Sequence, residues 1–225
     1  MQSTSLPAVA CEAEVRGTNH DWEGRVNSLE NFDSICAAED ERFDLLYPPH
    51  ILALSSQHWT PATVARTAAE FLVPEPNTRV LDIGCGPGKF CIVGAQTTDG
   101  HFTGVEQRPE LANVGRVSIE RERIANAVIL NANITEIDFK DYDSFYLFNP
   151  FEENIFKMGC IDSSVHLSTE LYALYVRHVA RMLAKAPLGT RVATYHGLCE
   201  EVPLCYELIH SRFKGELQFW QKRRN

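Results

Sequence analysis

A short apolar run followed by three evenly spaced glycines constrains this 225-residue chain more than any other feature. Residues 80–83 read Val-Leu-Asp-Ile, and glycines stand at positions 84, 86 and 88. A brief, glycine-bounded aliphatic run is typical of a buried parallel strand. Glycine adopts positive φ and has no Cβ, so the backbone can turn sharply into a helix and a ligand can approach the main chain. Exposed N–H groups at a helix start favour an anionic group, so this stretch predicts a nucleotide-like ligand.

The spacing of the glycines separates two classes of ligand. In the dinucleotide fingerprint G-x-G-x-x-G the third glycine would fall at position 89, where the chain has Lys89. The pattern acidic-x-G-x-G-x-G, with Asp82 as the acid, instead resembles the first motif of class I S-adenosylmethionine (SAM) dependent methyltransferases. The resemblance implies SAM as the cofactor, with its methionine half held by the loop. The residues that it implies as contacts are Asp82, Gly84, Cys85, Gly86 and Gly88.

Polar residues are also predicted at the ends of the next two strands. The strand at 101–105 ends in Glu106, which follows Asp82 by 24 positions (106 − 82). A carboxylate there, about 20 residues past the glycines, can accept hydrogen bonds from both ribose hydroxyls. The family resemblance implies this role for Glu106, beside Gln107, and an adenine contact at Asn133, whose amide offers a donor and an acceptor. An exposed strand-end carboxylate and an Asx turn are the structural alternatives for Glu106 and Asn133.

The order of the predicted elements is that of one doubly wound α/β domain. Its mostly parallel, seven-stranded sheet would end in a late antiparallel strand pair and carry helices on both faces, as in the family. We predict residues 1–59 as a leader and helical cap, in which an amphipathic helix at 21–46 would cover the cofactor pocket or pack against the sheet, and residues 60–225 as the SAM-binding methyltransferase domain. Strands are predicted at 80–83, 101–105, 127–130, 145–148, 190–194, 206–210 and 216–220. The main helices are predicted at 61–72, with Thr60 as the N-cap and Pro61 at the first position, and at 89–96, 109–124 and 169–186.

The acceptor is expected beyond the fourth and fifth strands. Amino-group methyltransferases often carry (Asn/Asp/Ser)-Pro-Pro-aromatic after the fourth strand, and Asn149-Pro150-Phe151 resembles that motif with one proline missing. This resemblance implies that Asn149 and Phe151 meet an amine acceptor, although a strand-ending Asn-Pro turn would look the same. His196, after the fifth strand, is the candidate base for a hydroxyl or carboxyl acceptor, with a structural histidine as its alternative. The resemblance also implies that the polar and aromatic loop 55–59 lies near the pocket mouth, because in family members the loop before the first motif folds over the cofactor.

The amino-acid composition limits the classes of partner that the protein is expected to bind. Thirty acidic against 21 basic residues give a net charge of −9, which repels phosphate backbones. Nucleic acid is therefore disfavoured as the acceptor, and a small molecule or protein side chain is favoured. Seven cysteines without a C-x-x-C pair indicate neither a metal site nor a disulfide framework. No apolar stretch approaches membrane-spanning length, so the cytoplasm is expected. The oligomeric state is left open.

Three functions remain compatible with these residues. The favoured one is a methyltransferase that moves the methyl group of SAM to an amine, hydroxyl or carboxyl. A regulatory protein that binds SAM without chemistry would keep Asp82 and Glu106 but would need no functional group at positions 149 and 196. An NAD(P)-dependent oxidoreductase is the third, and Lys89 opposes it.

Overall fold

The computed structural model describes residues 40–43, 45–156 and 160–225. Seven strands form one sheet: β1 Arg79–Ile83, β2 His101–Glu106, β3 Ala127–Asn131, β4 Ser144–Phe148, β5 Arg191–Tyr195, β6 Tyr206–Arg212 and β7 Leu217–Lys222. Their order is β3-β2-β1-β4-β5-β7-β6. Strands β1 to β5 are parallel, and β7 pairs antiparallel with both β5 and β6. The predicted doubly wound sheet with a late antiparallel pair is confirmed.

Helices cover both faces of the sheet. They are α1 Pro49–Leu52, α2 Ser55–His58, α3 Ala62–Leu72, α4 Lys89–Thr97, α5 Pro109–Arg121 and α6 Thr169–Lys185. The core beneath α3 and α4 contains Leu72, Phe90 and Phe102, whereas the core beneath α6 contains Leu81 and Leu183. Side chains alternate across each strand, so a parallel strand buried on both faces feeds both cores. None of the helices in the described part of the chain is long and apolar enough to cross a membrane.

The start of α3 differs from the sequence prediction. Thr60 was expected to cap a helix that begins at Pro61, but the helix begins at Ala62. The Thr60 hydroxyl instead forms a 2.9 Å hydrogen bond with the Tyr146 hydroxyl. The Ala62 N–H donates to Asp40 Oδ1 at 2.8 Å. A residue distant in sequence therefore supplies the cap. Most of the predicted helical cap at 21–46 lies outside the described residues.

Candidate active site

A cavity of about 210 Å³ lies at the carboxyl ends of β1, β2, β3 and β4. In the strand order, β1 stands between β2 and β4, so this is the switch point where open α/β sheets bind ligands. Most of the cavity wall is built from five segments: residues 57–59, the glycine turn after β1, residues 105–108, residues 132–134 and residues 148–153; Phe156, Ile161 and Tyr175 complete it. Four of these segments lie at or directly after the end of a strand, and residues 57–59 shortly precede α3, so the fold brings them together although they are distant in sequence.

The glycine turn needs its glycines for two reasons. Gly84, Gly86 and Gly88 have φ values of 75°, 54° and 80°, a region that residues with a Cβ rarely adopt. A Cβ on Gly86 would lie 2.6 Å from Cζ3 of Trp59. The Trp59 ring therefore lies directly on the turn. Gly84 and Gly86 line the cavity, whereas Gly88 lies at the N-cap of α4.

Glu106 presents a buried carboxylate to the cavity. Its side chain accepts the N–H of Gly86 at 3.1 Å and the N–H of Arg108 at 2.8 Å, one on each oxygen. Burial raises the pKa of Glu106, and the hydrogen bonds from Arg108 and Gly86 oppose that rise. Each carboxylate oxygen can accept a second hydrogen bond. The residue is thus held at the end of β2 in a geometry that suits two neighbouring hydroxyl donors, with Gln107 beside it on the wall.

Arg108 joins the end of β2 to the loop after β4. Its guanidinium is almost fully buried and donates to Glu153 at 2.6 Å and to Asp162 at 3.1 Å. Glu153 also accepts the N–H of Ile161 at 2.7 Å. This partly buried ion-pair network fixes the far wall of the cavity relative to Glu106. The network could not be predicted from the sequence because its residues are far apart in the chain, and the adjacent acids Glu152 and Glu153 were the only local signal.

Asn133 lines the cavity, but its side chain is already engaged. The amide oxygen accepts from the N–H and the hydroxyl of Thr135, at 3.0 and 2.8 Å. The amide nitrogen donates to the Tyr175 hydroxyl at 2.9 Å. With Glu136, Asn133 forms a capping box at the start of a short 3₁₀ helix. The Asx-turn alternative thus describes this side chain, and the adenine role predicted for it stays untested.

Asp82 and Cys85 face a smaller adjoining cavity. Both line it together with Gly84, Lys89 and Trp59, and neither lines the larger one. Burial raises the pKa of Asp82 to about 8, although a hydrogen bond from the Cys91 thiol lowers it in part. Burial also raises the pKa of the Cys85 thiol well above its ordinary value. A thiol kept protonated is a poor nucleophile, which argues against a covalent catalytic role for Cys85.

The structure brings two of the three predicted acceptor-side residues to the cavity. Asn149 lines it and donates to Glu152 at 2.8 Å. Phe151 lines it as well, with its ring 5.3 Å from that of Tyr175. His196 does not line it. The main-chain N–H of His196 donates to the carbonyl of Glu216 at 3.0 Å. The Nε2 atom of its ring lies 4.0 Å from the Glu216 carboxylate, beside the β5–β7 pair.

Comparison with known proteins adds independent findings. A methyltransferase-domain family model matches residues 74–185. Over 73 residues the chain is 38% identical to the 23S rRNA (uracil(1939)-C(5))-methyltransferase RlmD of Klebsiella pneumoniae, a match that covers 32% of this chain and 17% of the relative. The chain therefore spans about a sixth of the length of that relative.

Solved structures share the fold at low sequence identity. TrmN from Thermus thermophilus aligns with a TM-score of 0.57 and 17% identity, covering 77% of this chain and 52% of that one. An RNA methyltransferase from Salinibacter ruber, solved with S-adenosylhomocysteine, aligns with a TM-score of 0.51 and 16% identity, covering 74% and 94% of the two chains. Likeness at this identity concerns the fold.

The prediction that disfavours nucleic acid as the partner is wrong. Two curated sequences from Klebsiella pneumoniae strains match the chain, and both are named as 23S rRNA methyltransferases. That prediction rested on the net charge of −9. Net charge sums over the whole surface and does not describe the residues around one cavity, so it was too coarse to decide the acceptor.

Proposed function

Because the chain belongs to the class I SAM-dependent methyltransferase family, we propose that it is an enzyme that transfers the methyl group of SAM to an acceptor at the carboxyl end of β4. The observation that carries this proposal is the shared wall of the glycine turn and Glu106. The Gly86 N–H donates directly to the Glu106 carboxylate at 3.1 Å. The two motifs recognised in the sequence thus form a single site.

The residues of the cavity fit SAM by their chemistry. Gly84 and Gly86 leave the main chain uncovered where a Cβ would otherwise project. The Glu106 carboxylate would hold the ribose hydroxyls, with charge-assisted hydrogen bonds stronger than neutral ones. Gln107 and residues 132–134 would flank the adenine. Since the Asn133 amide serves as a cap, we assign the adenine contacts to Gln107 and to the main chain of this segment.

The protein's main contribution would be positioning. When bound, SAM supplies a methyl group already activated by a sulfonium, so no covalent enzyme intermediate is needed. The chain must hold the acceptor beside that group and provide a place for any proton that the acceptor releases. Asn149 is suited to this task, because its amide nitrogen is engaged by Glu152 and its carbonyl oxygen can accept from an amine. Phe151 supplies an apolar wall for a planar acceptor.

We propose an RNA base as the acceptor, with an exocyclic amine as the methylated group. The similarity to a 23S rRNA methyltransferase and the aromatic side chains on the cavity wall support an RNA base. The Asn149-Pro150-Phe151 sequence after β4 supports an amine as the methylated group. Unpaired RNA bases are commonly recognised by stacking on such side chains. The rings available here are those of Trp59, Phe148, Phe151 and Phe156.

A transfer assay tests this proposal. The chain is incubated with SAM labelled in its methyl group and with 23S ribosomal RNA transcribed in vitro, which carries no modification. We expect label in the RNA, on an amine-bearing base identified by mass spectrometry. Glu106→Gln should reduce the label strongly, whereas Glu110→Gln, an exposed acid in the next helix, should not.

Parallel incubations with a protein extract and with a small-molecule extract separate the outcomes. Label confined to one of these would contradict the RNA acceptor while supporting methyl transfer. The absence of label from every fraction, in a chain that binds S-adenosylhomocysteine, would instead favour the regulatory alternative.

A further inference from the structure

His58 occupies a position that the sequence motifs did not mark. It is the last residue of α2, directly before Trp59, whose ring covers the glycine turn. Its side chain lines the larger cavity and also the smaller one that contains Asp82. Gly84 and Phe148 line both cavities as well. His58 therefore lies where the end of β1 meets the end of β4, at the junction of the proposed cofactor and acceptor halves.

Other polar side chains on the acceptor wall already make hydrogen bonds. Glu153 accepts from Arg108 and from the N–H of Ile161. Glu152 accepts from the Asn149 amide. Among the described residues, by contrast, no hydrogen-bond partner is found for the His58 imidazole. An imidazole that lines a cavity without a partner can take up a proton there.

We propose that His58 is the catalytic base that accepts the proton released by the methyl acceptor. This inference rests on the proposed methyl transfer and replaces His196 in that role. As the acceptor nitrogen bonds to the methyl carbon, the C–S bond breaks with its electrons remaining on sulfur, leaving S-adenosylhomocysteine and a cationic nitrogen. The His58 imidazole then takes one proton from that nitrogen and becomes imidazolium. It returns the proton to water when the product leaves.

The surroundings of His58 favour the required neutral form. Partial burial lowers the pKa of His58 from its ordinary value of 6.5, the carboxylate of Glu153 raises it, and the guanidinium of Arg108 lowers it. Asp82 and Lys89 face it from the smaller cavity, and Glu106 faces it from the larger one. The imidazole is thus largely uncharged at pH 7 and able to act as a base.

The position of His58 beside the transferred methyl group can be tested without knowing the acceptor. NMR titration of histidine Cε1–H signals is recorded on the full chain bound to S-adenosylhomocysteine and, separately, to sinefungin. Sinefungin carries an ammonium group where SAM carries its sulfonium and methyl group. If His58 lies beside that position, the added charge should lower the pKa of His58 by about 0.5 or more. His196, which does not line the cavity, serves as the internal control, and its signal should be the same in both complexes.

Two variants, His58→Gln and His196→Gln, assign the signals and extend the test. Once transfer is measured, His58→Gln should lower kcat about a hundredfold, the typical contribution of a positioned base. Its affinity for S-adenosylhomocysteine should stay within about threefold of that of the wild type, which also shows that it folds. His196→Gln should keep both values. An identical His58 pKa in the two complexes would overturn the inference. Failure of both ligands to bind would overturn the proposed function itself, and the inference with it.

Discussion

Two carboxylates at neighbouring strand ends show how local contacts set side-chain chemistry. Glu106 receives two main-chain N–H groups, whereas Asp82 accepts a hydrogen bond from the weakly donating thiol of Cys91. Both are buried, and burial is the largest influence on both pKa values. Because the pKa of Asp82 is about 8, that carboxyl is largely protonated at pH 7. Whether Asp82 is negatively charged in a complex therefore depends on the charge of the bound ligand.

This leads to a pH-dependent stability. The folded pKa of Asp82 lies far above the unfolded value of about 3.9, so the folded chain keeps a proton that the unfolded chain loses above about pH 4. The contribution of Asp82 to stability should consequently fall as pH rises towards 8. In Asp82→Asn the free energy of unfolding should decrease less between pH 6 and pH 8 than in the wild type. Urea unfolding at both pH values measures this.

An exposed acid provides the control for that measurement. Asp99→Asn, at the surface before β2, should keep the wild-type pH dependence. Equal slopes in the wild type and in Asp82→Asn would show that Asp82 does not retain its proton in the folded chain.

Among the secondary-structure elements, the strands of the sheet could be predicted from the sequence, but the side-chain contacts that join the segments at their ends could not. Parallel strands such as β1 and β4 are apolar on both faces, and glycine or proline follows them closely, so their pattern can be read locally. The cap on α3 comes from Asp40, and the bridge after β4 comes from Arg108. Neither contact is local in sequence. The capping box of Asn133 and Glu136 is local, and its N-x-x-E spacing was a readable signal.

The contact between the glycine turn and Trp59, directly after α2, predicts a steric effect on stability. Gly86→Ala would place a methyl group 2.6 Å from the Trp59 ring, at a φ of 54°. Gly189 has a similar φ of 88°, but a Cβ there would meet nothing within 4 Å. Both substitutions carry the backbone cost of about 1 kcal/mol. Gly86→Ala should lose about 1–3 kcal/mol more, because Trp59 must move.

Urea unfolding of the two variants measures this difference, and calorimetry should show weakened S-adenosylhomocysteine binding in Gly86→Ala alone. If the two variants are equally stable, the Trp59 ring does not rest on the turn in solution.

At the scale of the whole molecule, the strand order divides the cavity. The end of β1 stands between the end of β2, which carries Glu106, and the end of β4, which precedes Asn149. This division could be predicted because parallel strands present their carboxyl ends at one edge. The same rule placed His196 after β5 at that edge. The rule does not predict that the main-chain N–H of His196, which has a φ of 53°, donates to the carbonyl of Glu216, directly before β7. Antiparallel pairing, which the rule does not treat, decides that position.

The cavity at this edge is expected to hold SAM and not a dinucleotide. Isothermal titration calorimetry with S-adenosylhomocysteine and with NAD⁺ tests it most directly, on the wild type and on Glu106→Gln. We predict one S-adenosylhomocysteine site per chain and no NAD⁺ binding. Loss of the charged acceptor should weaken binding by about 1.5–3 kcal/mol, which is roughly a 10- to 150-fold rise in Kd. Binding of NAD⁺ in preference to S-adenosylhomocysteine, or unchanged affinity in Glu106→Gln, would contradict this account.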